Sequence, residues 1–173
     1  MRNSLISRLD AGDRALFARC SLTQSPPRIA CSFWRAVTHL GGARFSVAAS
    51  LLAIAVGGRW RAAVIEAISV LVISHLVVQA VKRSVSRPRP SRDANFGAVI
   101  TAPDRFSFPS GHAAASASLA IGAATVLPQW SLAFTTLAIL VSMSRVVLGV
   151  HFPGDVIAGQ LIALGAWAVL SVL

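Results

Sequence analysis

The sequence predicts an all-α fold, a transmembrane helix bundle of about five spans preceded by N-terminal interfacial helices. Three observations lead there. The 173 residues are 55% hydrophobic with a mean hydropathy of +0.69, too apolar for a soluble domain of this length. The apolar residues fall into runs separated by Gly57-Gly58-Arg59, by the polar stretch 82–111, by Pro128-Gln129-Trp130 and by the run Ser144 to Asp155. The net charge is +10, with 16 Lys and Arg against 6 Asp and Glu, and such an excess between apolar spans suits loops facing anionic headgroups. The same scatter argues against nucleic acid as a partner, because no basic stripe or patch is formed.

Taken in order, residues 1–40 are the least membrane-like. Leu5, Leu9, Leu16 and Phe17 alternate with Arg2, Arg8, Arg14 and Arg19, and Pro26-Pro27 breaks the segment before a second amphipathic stretch that ends at Gly41-Gly42. Both stretches read as helices lying at the interface, basic side toward headgroups. Arg8, Asp10 and Asp13 interrupt any apolar core after Arg2, so no signal peptide is expected. Cys20 and Cys31 lack metal-ligand spacing and read as incidental.

Residues 41–173 form the expected membrane domain. The spans read as 43–57, 60–81, from Ser110 or His112 to Leu127, 131–150 and 155–173, with 82–111 as a polar loop. The third is rich in Ala and Ser, which allow helices to approach closely in lipid. Glu66 and His75 lie inside the second span and read as helix–helix hydrogen-bonding groups. Span parity puts the 82–111 loop and the 144–155 run on one membrane face, with only Arg59 and Arg61 near the other. Trp60 and Trp130 fall at that other face, as interfacial aromatics do.

The shared face gathers the polar chemistry. His151 and Asp155 are four apart, so a helical turn would place them together, the carboxylate fixing one imidazole nitrogen and freeing the other to attack. Lys82, Arg89 and Arg145 are three cations suited to phosphate oxygens. In Pro109-Ser110-Gly111-His112, Ser110 is a natural N-cap, Gly111 admits a close ligand, and His112 stands in the first turn, near any anion held by the free amides. Taken singly, each feature also fits a solvated or positive-inside loop, or a structural histidine.

The set Lys82-x6-Arg89-Pro90, Pro109-Ser110-Gly111-His112 and Ser144-Arg145-x5-His151-x3-Asp155 resembles the three-part signature of the type 2 phosphatidic acid phosphatase (PAP2) superfamily. That superfamily includes lipid phosphate phosphatases, polyprenyl pyrophosphate phosphatases and vanadium haloperoxidases. The resemblance covers roughly residues 40–173 and implies a bundle with a haloperoxidase-like core. It implies that His151 attacks phosphorus and becomes a phosphohistidine, that Asp155 orients it, and that His112 protonates the leaving oxygen and then activates water. Lys82, Arg89, Arg145, Ser110 and Gly111 would hold the phosphoryl oxygens. Three fixed cations can stabilise the transferring group, and Asp93, Asp104 and Asp155 lack metal-ligand spacing, so no metal or other cofactor is expected.

These readings lead to a multi-pass enzyme of a bacterial inner membrane that dephosphorylates a lipid: phosphatidate, phosphatidylglycerophosphate or a polyprenyl-linked phosphate. The alternatives are an undecaprenyl pyrophosphate phosphatase in lipid-carrier recycling, a haloperoxidase, and an idle lipid-binding or transport component. Seven arginines among residues 1–44 tilt the shared face toward the cytoplasm.

Overall fold

The computed structural model describes residues 2–22, 27–92, 98–102 and 104–172. Among them are seven α-helices: α1 (Arg2–Cys20), α2 (Arg28–His39), α3 (Ala43–Val56), α4 (Arg59–Val85), α5 (Gly111–Val126), α6 (Ser131–Val147) and α7 (Pro153–Leu170). The described residues form no strand beyond one isolated antiparallel bridge between Pro88 and Phe106.

The five apolar runs become α3 to α7, with unequal lengths. α4, α7 and the stretch Pro128–Val147 are long and apolar enough to cross a bilayer, and α2 with α3, bent by 48°, forms a fourth span if the pair is read as one. α3 has 14 residues and α5 has 16, about 21 and 24 Å of helix against a hydrocarbon core of about 30 Å. α5 has no need of a lipid-facing surface of its own, because it is enclosed by α4, α6 and α7. Its small side chains permit this. Ala113, Ala114, Ala117 and Ser118 are buried, and a Cβ at Gly122 would collide with Ala67 of α4.

Three boundaries shape the site. α4 does not stop at residue 81 but runs to Val85, carrying Lys82 in its last turn rather than in a loop. Val81, Lys82 and Arg83 have no helix-breaking side chain, and the break comes only where Arg87 precedes Pro88. α6 ends at Val147 rather than 150, because Gly149 takes a left-handed φ of 82°. α7 starts with Pro153 in its first turn, and its Asp155 carboxylate accepts the Phe152 N–H at 2.7 Å. His151 therefore sits in an irregular turn between two helices, and Asp155 at the start of the second, rather than both on one continuous helix.

Polar bonds knit the bundle. Gln160 on α7 donates to Ser142 Oγ on α6 at 2.8 Å, and Trp167 Nε1 donates to Glu66 on α4 at 3.0 Å, the interhelical role expected for Glu66. His75 does not follow that expectation: its hydrogen-bond partner among the described residues is Gln79, on its own helix, at 3.3 Å. Leu51, Leu76, Leu132 and Leu161, each on a different helix, are exposed aliphatic side chains suited to lipid.

The N-terminal helices join the bundle. α1 packs on α6 and α7, and α2 on α6. Phe17 is fully buried, edge-on to Phe152 at 5.3 Å, in a cluster with Ala113, Val146 and Val156. Cys20 and Cys31 are free thiols.

Candidate active site

Lys82 from α4, Arg89 from the following loop, Gly111 and His112 from the start of α5, Arg145 from α6 and His151 from the α6–α7 turn line one cavity of about 450 Å³. Seven of the eight expected site residues are thus at or beside this cavity, Asp155 standing directly behind His151. Ser110 is the exception in role. It is fully buried and caps α5, its Oγ accepting from Ala113 N at 3.4 Å. Its carbonyl also meets α7 so closely that a Cβ at Gly159 would clash with it. Ser110 sets the position of the α5 N-terminus, and Gly111 presents that terminus to the cavity.

His151 is 2% exposed, with its two ring nitrogens in different surroundings. Nε2 lies 3.0 Å from Arg89 Nη1, which also donates to the Val150 carbonyl at 2.7 Å. Nδ1 lies 3.5 Å from Asp155 Oδ2, within ion-pair reach but beyond a good N–H···O bond, and has no hydrogen-bond partner among the described residues. The expected Asp155–His151 contact is therefore an alignment and not a formed hydrogen bond, because the Asp155 carboxylate is already engaged by Phe152 N and Arg87. Burial, together with Arg89, Arg145 and Lys82, holds the His151 imidazole well below its ordinary value of 6.5. The ring is neutral at physiological pH, the state a nucleophile requires.

Sequence reasoning gave the cations to a ligand; the structure finds a carboxylate already between two of them. Asp104 Oδ2 pairs with Lys82 Nζ at 2.7 Å and Asp104 Oδ1 with Arg89 Nη2 at 2.7 Å. Arg89 Nε also donates to the Asp104 carbonyl at 2.9 Å. Burial works against the Asp104 charge, but hydrogen bonds from Lys82 and Arg89 outweigh it and hold the carboxyl below 3.8. Arg145 instead donates to Thr38 Oγ1 on α2 at 2.8 Å, and its buried Nε has no partner among the described residues. That open donor is available to an anion in the cavity.

Behind His151 lies a second network that the sequence did not announce. Arg87 donates to Asp155 at 2.8 Å, to Asp13 at 2.7 Å and to Asp10 at 2.7 Å, the last two on α1. Its guanidinium stacks over Phe152 at 4.1 Å, and Asp13 also accepts the Gly154 N–H at 2.7 Å. Burial opposes the Arg87 charge, yet the three carboxylates raise its pKa above the ordinary value. The one available signal was that Asp10 and Asp13 are acidic in an otherwise basic N-terminus. Among the described residues, no group of three or more His, Cys, Asp or Glu is placed to hold a metal ion.

Comparison with known proteins places this geometry. The family model described as the PAP2 superfamily matches residues 63–173. A lipid A 1-phosphatase of Rhizobium johnstonii is 38% identical over 102 residues, covering 56% of this chain and 41% of the relative. A decaprenylphosphoryl-5-phosphoribose phosphatase of Mycobacterium tuberculosis is 38% identical over 96 residues, covering 54% of this chain and 50% of the relative. The matches to these curated relatives thus span half their length or less. The crystal structure of a transmembrane PAP2-type phosphatidylglycerolphosphate phosphatase from Bacillus subtilis superposes with a TM-score of 0.76 at 25% identity, over 95% of this chain and 85% of that one.

Proposed function

Because this chain belongs to the PAP2 superfamily, we propose that it is an integral membrane phosphatase that hydrolyses a phosphomonoester or pyrophosphate of a lipid. The observation that carries this reading is the cavity itself: two histidines and three cations at one end, and the aliphatic walls of Leu71, Val72 and Val47 at the other. A phosphate and a hydrocarbon tail belong to one molecule only in an amphiphile, and a membrane bundle receives such a molecule from the bilayer.

The chemistry follows the two faces of His151. Its Nε2, beside Arg89, attacks phosphorus in line, forming a P–N bond as the P–O bond to the leaving lipid oxygen breaks. His112, on the cavity wall, gives that oxygen its proton. Asp155, 3.5 Å from Nδ1, stabilises the charge that appears on the imidazole. Arg89, Lys82 and the open Nε of Arg145 neutralise the equatorial oxygens, with the Gly111 end of α5 beside them. Water then attacks the phosphohistidine, His112 takes its proton, and the P–N bond breaks to release phosphate. The relatives' names supply a range of lipid phosphates, including a lipid A, a polyprenyl phosphoribose and phosphatidylglycerolphosphate. A bacterial inner membrane, crossed several times, is the compartment that fits these relatives.

The test is phosphate release by purified protein in detergent containing EDTA, from phosphatidate, phosphatidylglycerophosphate, undecaprenyl pyrophosphate and a polyprenyl-phosphoribose phosphate. Release that persists in EDTA and disappears in His151→Ala is expected. Absence of release from every lipid by folded protein overturns the reading, and equal release by His151→Ala overturns the histidine mechanism.

A further inference from the structure

Along α4 the cavity wall is cationic at one end, mixed polar and aliphatic in the middle, and aliphatic at the other end. Lys82 marks the cationic end. Gln79 and His75 lie three and seven residues earlier on the same stripe of the helix, about 4.5 and 10 Å further from that end. Their side chains meet at 3.3 Å. Ser46 of α3 lines the same stretch, its hydroxyl donating to the Gly42 carbonyl at 3.2 Å and keeping its oxygen lone pairs. Leu76 and Val78 share this stretch with the polar groups, and beyond it Val72 and Leu71 on α4 and Val47 on α3 leave the wall without polar side chains.

The polar stretch has no structural employment among the described residues. Gln79 and His75 bond within one helix and tie no neighbours together, unlike Glu66 and Gln160. His75 is exposed on a helix long enough to span the bilayer, where an ionisable group against hydrocarbon is costly. A lipid whose phosphate sits directly on a prenyl or diacylglycerol body would lay hydrocarbon or ester groups along the amide and the imidazole. Those groups would then lose water without gaining partners. A ring bearing several hydroxyls would satisfy both, and Ser46 as well.

We propose that Ser46, His75 and Gln79 form a subsite for a hydroxylated, sugar-like headgroup lying between the scissile phosphate and the tail. The inference rests on the phosphatase reading above and narrows it: the substrate is a phosphorylated glycolipid. Phosphate enters first toward Lys82 and Arg89, the sugar hydroxyls face Gln79 and His75, and the tail leaves between α3 and α4.

A matched pair of substrates tests this without any variant. Wild-type protein is given a polyprenyl-phosphoribose phosphate and a polyprenyl pyrophosphate of equal chain length, with phosphatidate as a third substrate. The expected result is a kcat/KM at least about tenfold higher for the sugar-containing lipid. In His75→Leu and Gln79→Leu that preference falls by about tenfold, the loss residing in the sugar-containing substrate. Equal or reversed preference in the wild type overturns the subsite while leaving the phosphatase reading intact. So does a preference that survives both substitutions within twofold. Hydrolysis of none of the three overturns the subsite, and failure on phosphatidylglycerophosphate as well removes the phosphatase reading with it.

Discussion

Two charge clusters flank His151, built from the same groups and differing in what they share. In front, one carboxylate serves two cations: Asp104 bridges Lys82 and Arg89, and its side chain is 43% exposed. Behind, one cation reaches three carboxylates: Arg87 holds Asp155, Asp13 and Asp10, Arg14 adds a second pair to Asp10 at 2.8 Å, and Asp155 is fully buried. The front cluster keeps a surplus of positive charge beside open cavity, so a phosphoryl group can compete with Asp104 for the same donors. The rear cluster has a surplus of negative charge, held at 2.7–2.8 Å under an aromatic ring, so it serves as scaffold. Similar ion pairs thus do different work according to burial and stoichiometry.

The largest effect lies between the clusters. His151→Gln removes the proposed nucleophile and is expected to lower kcat by about 10⁴-fold or more. Protein incubated with lipid ³²P-labelled in the scissile phosphate and quenched in alkaline detergent, where a P–N bond survives, should carry label in the wild type and none in this variant. Next comes the rear cluster. Arg87→Ala strips a fully buried carboxylate of its cation, a loss of about 3–5 kcal/mol. It also lets the Phe152–Asp155 turn shift, which is expected to cost about 10²-fold in kcat. Arg87→Lys should restore part of both, and Asp10→Asn with Asp13→Asn should reproduce part of the kcat loss without touching the cavity. Thermal unfolding in detergent beside kcat separates the two effects. An Arg87→Ala enzyme with unchanged kcat would reduce the rear cluster to packing.

The comparison also explains what could be read from sequence. The residues facing the cavity were legible because their spacing is local: Lys82 to Arg89, the Ser110–His112 helix start, and Arg145 to Asp155 each lie within a dozen residues, and span parity joins the three. The partners that neutralise them were not. Asp104 meets Lys82 across a separation of 22 residues whose sequence carries no periodicity, and Asp13 meets Arg87 across 74. Hydropathy counted Phe17 among the apolar residues of an interfacial helix but did not show its partner, Phe152, on which its fully buried ring is seated. Charge in a basic N-terminus pointed to headgroups, whereas its two acids point inward to Arg87.

Acid separates the two sides of His151 thermodynamically. The folded imidazole is held below 6.5, so the unfolded chain takes up its proton first. Stability contributed by the neutral ring is therefore complete above 6.5 and falls as the pH drops through that value, by at most about 1.4 kcal/mol for each pH unit. Asp104 acts in a lower window. Its folded pKa lies below 3.8, so its contribution is present above 3.8 and is lost only on further acidification. Unfolding temperatures between pH 7 and 5 should fall in the wild type and fall less in His151→Gln. Equal slopes in the two proteins would place the acid sensitivity elsewhere.

The smallest effect tests the front cluster, and its sign decides between two roles for Asp104. If the carboxylate only braced Lys82 and Arg89, Asp104→Asn would loosen both cations and weaken binding of phosphate and vanadate. With the carboxylate instead competing for those donors, its removal leaves them for the ligand. Asp104 is half exposed although both cations are buried, and water screening at the carboxylate keeps the expected gain to about 1 kcal/mol, or about fivefold in the inhibition constant. Tighter inhibition by vanadate in Asp104→Asn, with the neutral amide still filling the space, is the outcome that the stoichiometry of the front cluster demands. Weaker inhibition would make both clusters scaffolds and erase the distinction between them.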